Sequence, residues 1–539
     1  MADLILKNGF VVDGSENPWY KADIEVKNGR IFRIGKLYNV KASRIIDAEG
    51  LVIAPGFIDI HSHSDWSVIV NPLSESKIRQ GITTECIGNC GASAAPLDKE
   101  KLDLTKKMLG PIASEITWDW LTFDEYLSKL EKQGSSVNIV SLVGHGTIRI
   151  AVMGYENRPP SQDEMEQMKN LVAEAMDAGA VGLSTGLIYP PGCYAETNEL
   201  VQLAKVVSEK GGFYASHIRG ESQTLVQAVK EAVEIGERAN IPVEISHHKA
   251  AGKRVWGKVK ETLKLIQQAR LKGLDVTCDV YPYVAGSTSF SSILPNWMHE
   301  GGIDETIKRL KDPNLRRKIK KEMKKKSSLG ENLVSDVGWD SICISFSEKH
   351  PDYEGKTLLE IAKMRNTNPF DAAFDLIVED YGTTDMIIFS MNEKDVETVI
   401  GHPVSMIGTD ASSRAPYGVL SRGKPHPRSY GTCPRVLKTY CRERGVLGLE
   451  EAVRKMTSLP AQKLGLTDRG LLKKGMWADI VIFDKDVVAD VATFENPHQY
   501  PKGVEYVIVN GVVSIEKGEH TKALAGKVLR KKTCLETAH

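Results

Sequence analysis

The chain has 539 residues, 41% of them hydrophobic, with 70 Lys plus Arg balanced by 70 Asp plus Glu. That length buries a large core and calls for more than one domain, and the formal net charge of +0 offers no basic field to nucleic acid or an anionic membrane, so small molecules are the expected partners. Eight irregularly spaced cysteines do not read as a disulfide framework, the N-terminus has no basic n-region, and no apolar run approaches ~18 residues, so the default expectation is a cytoplasmic protein.

ADLILKNGFVVDG, KADIEVKNGRIFRIGKL and SRIIDAEG alternate polar and apolar residues around NG turns, which predicts strands over residues 1–55. The run LVIAPGFIDI then reads as a buried strand leading to His61 and His63 of DIHSHSD. Residues i and i+2 of a strand face the same way, so the pair can share a metal, although an isolated HxH is as readily a structural pair. TTECIG leads to Cys90 in GNCGAS; on its own such a cysteine is more often a small buried hydrophobe. VNIVSLVGHG predicts the next strand, with His145 at its end read as a hydrogen-bonded structural residue, and SQDEMEQMKNLVAEAMDAG predicts a helix. GGFYAS ends at His217 and IPVEIS at His247, with a helix between them over ESQTLVQAVKEAVEIGERAN. His248 competes with His247, but only one of two adjacent strand residues faces a barrel interior, and His247 is the expected ligand.

Strands alternating with helices of this length predict an α/β fold of the TIM-like (β/α)8 type, whose functional residues collect at the strand C-termini. Imidazoles and a thiolate at successive strand ends suit Zn²⁺, which can activate water for hydrolysis. After DVYPYVAGST the alternation gives way to DETIKRLKDPNLRRKIKKEMKKKSSLGENL, whose apolar spacing at Ile307, Leu310, Leu315 and Ile319 predicts exposed helices. VSMIGTDASS returns to the barrel pattern and ends at Asp410. Alone, Asp410 reads as a helix N-cap; placed across a metal from the histidine pair it is the candidate general base. DIVIFDKD and EYVIVNGVVSIEKGE are strands again, so both chain ends are expected to form one discontinuous β-sandwich: residues 1–55 and 466–539 around a barrel at 56–465, interrupted by an insertion at about 286–340. The tail LAGKVLRKKTCLETAH is expected to be irregular.

Taken in order, APGFIDIHSHSD, GNCGASAAPL, GLIYPPGCYA, SHIRGE, ISHHKAAG, DVYPYVAGST, GTDAS, HPRSYGTCPRVL and KGMWADIVIFD resemble the D-aminoacylase or N-acyl-D-amino-acid deacylase family of the metal-dependent amidohydrolases. The resemblance covers nearly the whole chain. It implies zinc-dependent cleavage of N-acyl-D-amino acids, with Cys90, His217 and His247 holding one tight zinc and His61 and His63 forming a second, weaker or partly occupied site. AVGLSTGLIYPPG lacks the metal-bridging lysine of hydantoinases, which leaves Cys90 as the substitute anionic ligand. The resemblance also points to Lys249, Tyr283, Ser287 and Arg428 for the substrate carboxylate, and to a mobile lid made by the insertion. Acid-specific relatives need an extra positive charge, whereas SSILPNWMHEGG offers Leu294, Trp297 and Met298, so apolar D-residues are the expected preference. The alternatives are a dipeptidase acting on C-terminal D-residues, a ring-opening amidohydrolase, and a non-enzymatic scaffold that would have lost its metal ligands.

Overall fold

The computed structural model describes residues 1–324 and 332–531, so the lid segment KKSSLGE at 325–331 and the end of the tail, with Cys534, lie outside the described residues. Its centre is a ring of short parallel strands. Phe57–Asp59, Ile82–Ile87 and Asn138–Ser141 form one run, and Val143–Gly144, Gly182–Gly186, Phe213–His217, Val243–Ile245, Val276–Val280 and Ser405–Ile407 form the next. Counting Asn138–Ser141 and Val143–Gly144 as one interrupted strand gives eight positions among the described residues. The parallel bridge Ser62↔Ala411 and the hydrogen bond from Asp410 N to His61 O (2.8 Å) join the last position to the first.

The intervening helices form for local reasons. Gln162–Asp177 opens on a capping box in which Ser161 and Glu164 satisfy each other's backbone N–H groups, and it buries Met165, Met168, Val172 and Met176 against the ring. Leu225–Ala239 buries Leu225, Val229, Ala232 and Ile235 on one stripe and stops at Asn240, which adopts the left-handed conformation (φ 49°) common at helix ends.

The expected strand LVIAPGFIDI is two strands in two sheets. Val52–Pro55 pairs with Ala2–Val11 on one side and Ile480–Phe483 on the other, whereas Phe57–Asp59 enters the barrel. The chain turns between them at Gly56, where a Cβ atom would lie 2.2 Å from the Thr83 side chain. Both chain ends thereby join one nine-stranded sheet with a shared core that includes Leu4, Ile24, Ile53, Ile480 and Ile508. The described part of the tail is irregular, as expected, but docked: Lys527 and Leu529 hydrogen-bond across Ile139 of the barrel (2.9 and 2.7 Å).

The insertion is longer than expected. DSICI at about 340 reads as a return to the barrel, yet Ile342–Phe346 pairs antiparallel with Asp385–Ile388, which pairs in turn with Gly286–Ser289. This three-stranded sheet carries helices including Ile303–Lys311, Pro313–Met323 and Pro369–Glu379, over a separate core that contains Phe290, Leu310, Ile319 and Phe374. An apolar β-branched run does not declare which sheet it belongs to, and the insertion therefore extends through about residue 388.

Candidate metal centre and active site

The five expected ligands meet at the C-terminal mouth of the barrel. Donor atoms of His61, His63, Cys90 and Asp410 lie within 4.8 Å of one another, as do those of Cys90, His217 and His247, so Cys90 belongs to both groups. Cys90 Sγ is 3.3 Å from His61 Nε2 and 3.4 Å from His247 Nε2. Asp410 Oδ1 is 3.0 Å from His63 Nε2 and 3.5 Å from His61 Nε2. Cys90, His247 and Asp410 all have left-handed backbones, with φ of 53°, 35° and 50°. For Cys and His this conformation costs on the order of 1–3 kcal/mol each, so the barrel holds these side chains inward against local preference. The next residue, Gly91 (φ 75°), is crowded as well: a Cβ there would meet the Gly186 nitrogen at 2.7 Å.

A layer of buried polar groups fixes the ligands. Asp279 Oδ2 is 3.1 Å from His61 Nδ1, and its Oδ1 accepts the His247 backbone N–H at 2.9 Å. Glu221 Oε1 is 3.0 Å from His247 Nδ1 and also pairs with Lys249. The strand Gly182–Gly186 supplies no ligand; its Ser184 hydroxyl accepts the Gly91 N–H at 3.0 Å and donates to Gly88 O, so the strand that lacks a lysine braces the Cys90 loop.

Burial opposes ionisation of Cys90, but the imidazoles of His61 and His247 outweigh it and hold the thiol well below its usual range. Burial also opposes the Asp410 carboxylate, and here Arg428, then His247, more than offset it, so Asp410 stays ionised far below the ordinary carboxylate range. His217 is pushed down, first by burial and then by His247. Both of its ring nitrogens are buried without a hydrogen-bond partner, an arrangement that is costly unless something else takes the lone pair. A thiolate, four imidazoles and a carboxylate gathered beside the unsatisfied His217 nitrogens form a donor set that fits Zn²⁺.

A cavity of about 540 Å³ opens onto this cluster, and Lys249, Ser287 and Arg428 line it as expected. Arg428 is already engaged, paired with Asp410 Oδ2 at 2.8 Å. The expectation for Tyr283 is corrected. The chain turns after Val276–Val280, with Tyr283 N donating to Tyr281 O (2.9 Å), so strand alternation no longer applies and the two rings part. Tyr281 lines the cavity under the Arg428 guanidinium (4.6 Å from the ring centroid). Tyr283 packs against His426 and Arg435, outside the lining residues. Leu294 and Met298 are buried in the lid core with Trp297 against it, so the residues behind the expected apolar preference do not face substrate. His248 bonds Thr262 (2.8 Å) and His145 bonds Glu199 (2.8 Å), both away from the ligand cluster. Sequence reasoning missed Glu221, Asp279 and Tyr281; each sits inside a quoted motif, and for Glu221 alone a carboxylate four residues after an expected ligand, His217, was the available signal.

Residues 44–515 match the amidohydrolase family. The chain belongs to that family. Among curated relatives, it is 36% identical to the D-aminoacylase of Alcaligenes xylosoxydans xylosoxydans, covering 98% of this chain and 97% of the relative. It is equally similar, at 36% over 98% and 96%, to the N-acyl-D-glutamate deacylase of the same organism. Among solved structures, the N-acyl-D-glutamate deacylase of Bordetella bronchiseptica, complexed with zinc and a phosphonate mimic of the tetrahedral intermediate, superposes with a TM-score of 0.81 at 34% identity, covering 98% of this chain and 99% of that one. The family assignment thus agrees with the barrel, the strand-end ligands and the added β domain. No helix among the described residues is long and apolar enough to cross a membrane.

Proposed function

We propose that this protein is a zinc-dependent hydrolase of N-acyl-D-amino acids, releasing a carboxylate and a free D-amino acid. The observation that carries the reading is the shared thiolate: Cys90 joins His217 and His247 on one side and His61, His63 and Asp410 on the other. Cys90, His217 and His247 would hold a tight zinc, and His61 and His63 a second, weaker site. Zinc, when bound, supplies Lewis acidity that brings the pKa of a water toward ~7.

The chain's own groups do the rest. Asp410, kept ionised by Arg428, accepts a proton from the attacking water and returns it to the departing amine. Lys249 and Ser287 line the cavity where an α-carboxylate would be anchored, with Tyr281 forming its wall. Residues 1–55 together with the chain after 465 act as the supporting β unit, and the lid sheet closes one side of the cavity. The seven free cysteines among the described residues suit a reducing compartment, the cytoplasm.

The test is a screen of N-acetyl amino acids in both hands with released amine as readout. D-selective turnover that chelators remove and zinc restores is expected. Cleavage of the L-forms alone would overturn the substrate assignment.

A further inference from the structure

A second chamber of about 250 Å³ branches from the catalytic cavity at His63. The two spaces share a wall that includes Ser412, Arg414, Arg422 and Asp385, and the far side of the chamber is apolar, with Trp66 and Leu420.

Its charges are unlike those elsewhere in the molecule. Buried arginines are paired: Arg149 with Glu199, Arg428 with Asp410, Arg469 with Asp479. The half-buried Arg414 has a buried Nε with no hydrogen-bond partner, and its side chain has no ion pair among the described residues. Arg422 likewise has neither. One carboxylate, Asp385, lines the same wall and feels the pull of Arg414, yet forms no ion pair among the described residues. A half-buried guanidinium left unsatisfied is costly unless an anion completes it.

The direction of a bound substrate follows from the ligand groups. Lys249, a candidate carboxylate anchor, touches His247 at 2.8 Å, on the His217–His247 side of Cys90. The chamber opens at His63, a member of the other ligand group, and neither His217, His247 nor Lys249 lines it. In a linear amide the α-carboxylate and the acyl chain leave the scissile bond in opposite directions. Resting on the hydrolase reading above, we propose that this chamber is an acyl subsite for a short dicarboxylic acyl group, such as succinyl, whose terminal carboxylate is bound by Arg414 and Arg422.

The test has an arm that needs no turnover. Succinate and butyrate, which differ by one carboxylate, are titrated into zinc-loaded protein by calorimetry, with the fluorescence of Trp66 in the chamber as a second readout. Succinate should bind at least ~10-fold more tightly, the size of a charge-assisted hydrogen bond, and Arg414→Gln should bring that ratio down toward ~1. Arg422→Gln, on an exposed residue that does not threaten folding, should move it the same way. In turnover, N-succinyl-D-leucine should outrun N-butyryl-D-leucine, with the same dependence on Arg414.

Equal binding of succinate and butyrate, or a ratio indifferent to both substitutions, overturns the proposal even if N-acetyl-D-leucine is cleaved. A preference for glycyl-D-leucine overturns it in favour of ammonium recognition by Asp385. If Arg414→Gln selectively impairs N-acetyl-D-glutamate, the chamber holds the amino-acid side chain and the acyl assignment fails. Succinate bound through Arg414 by a protein that cleaves no N-acyl-D-amino acid supports the chamber while removing the hydrolase reading.

Discussion

Lys77 Nζ lies 2.7 Å from Asp59 Oδ2, both side chains fully buried beneath the barrel mouth. The same ammonium donates to Ser62 Oγ (3.1 Å), Thr409 Oγ1 (2.6 Å) and Ala411 O (2.7 Å), and so ties the histidine-pair loop to the Asp410 loop. Lys77→Met should cost about 3–5 kcal/mol, because it strands Asp59 and Glu85 as buried, uncompensated carboxylates. The check is thermal unfolding, and an unchanged Tm would show that the network contributes little.

Asp410→Asn keeps the size and most contacts of the side chain but removes its capacity to accept a proton. Zinc content by elemental analysis should stay near that of the wild type, while kcat should fall by roughly 10²–10⁴ or more. Retained turnover would take Asp410 out of the mechanism.

Cys90 and Asp279 separate direct ligation from ligand support. Asp279→Asn weakens the hold on His61 and on the His247 backbone, and should lower zinc affinity by about 10–100-fold. Cys90→Ala deletes the donor common to both groups and should exceed that loss. A full zinc complement in the Cys90 variant after dialysis against chelator would contradict the assignment.

The two tyrosines should behave oppositely. Tyr281→Phe alters the cavity wall and should raise KM. Tyr283→Phe should leave KM alone and stabilise the fold by about 1 kcal/mol, since the Tyr283 hydroxyl is buried with no hydrogen-bond partner. Matching kinetic effects in both variants would place both rings at the substrate.

Asp385 is pushed up from 3.8 to about 6 by burial, against the opposing pull of Arg414. A carboxyl whose folded pKa is raised is most favourable to the fold below ~4, and that contribution is lost as pH rises through 6. Asp385→Asn should therefore stabilise the protein by about 1–2 kcal/mol at pH 7.5, after allowance for its partial exposure, and by less at pH 5. A Tm difference that does not widen between these two values would contradict the shift.

The convergence of His61, His63, Cys90, His217, His247 and Asp410 was legible because each follows a short apolar run, and closure of the barrel brings strand ends together wherever they lie in the chain. Other features were illegible for physical reasons. An apolar residue in a lid core and one in a substrate pocket look alike, which is why Leu294 and Met298 misled. Tyr281 and Tyr283 differ only through a tight turn that alternation cannot foresee. Ile342–Phe346 has the composition of a barrel strand but pairs in the lid. Asp385, Arg414 and Arg422 are ordinary charged residues until the fold lines one chamber with them and leaves them without ion pairs among the described residues.

The strand Val52–Pro55 completes its hydrogen bonds only with Ile480–Phe483. On a ribosome adding about 5–20 residues per second, the first of these strands would wait tens of seconds for the second. During that interval its edge stays open to the wrong neighbour, and the β sheet cannot close until the chain has passed residue 483. Early termination of synthesis anywhere before residue 480 would leave a sticky product, however complete its catalytic residues.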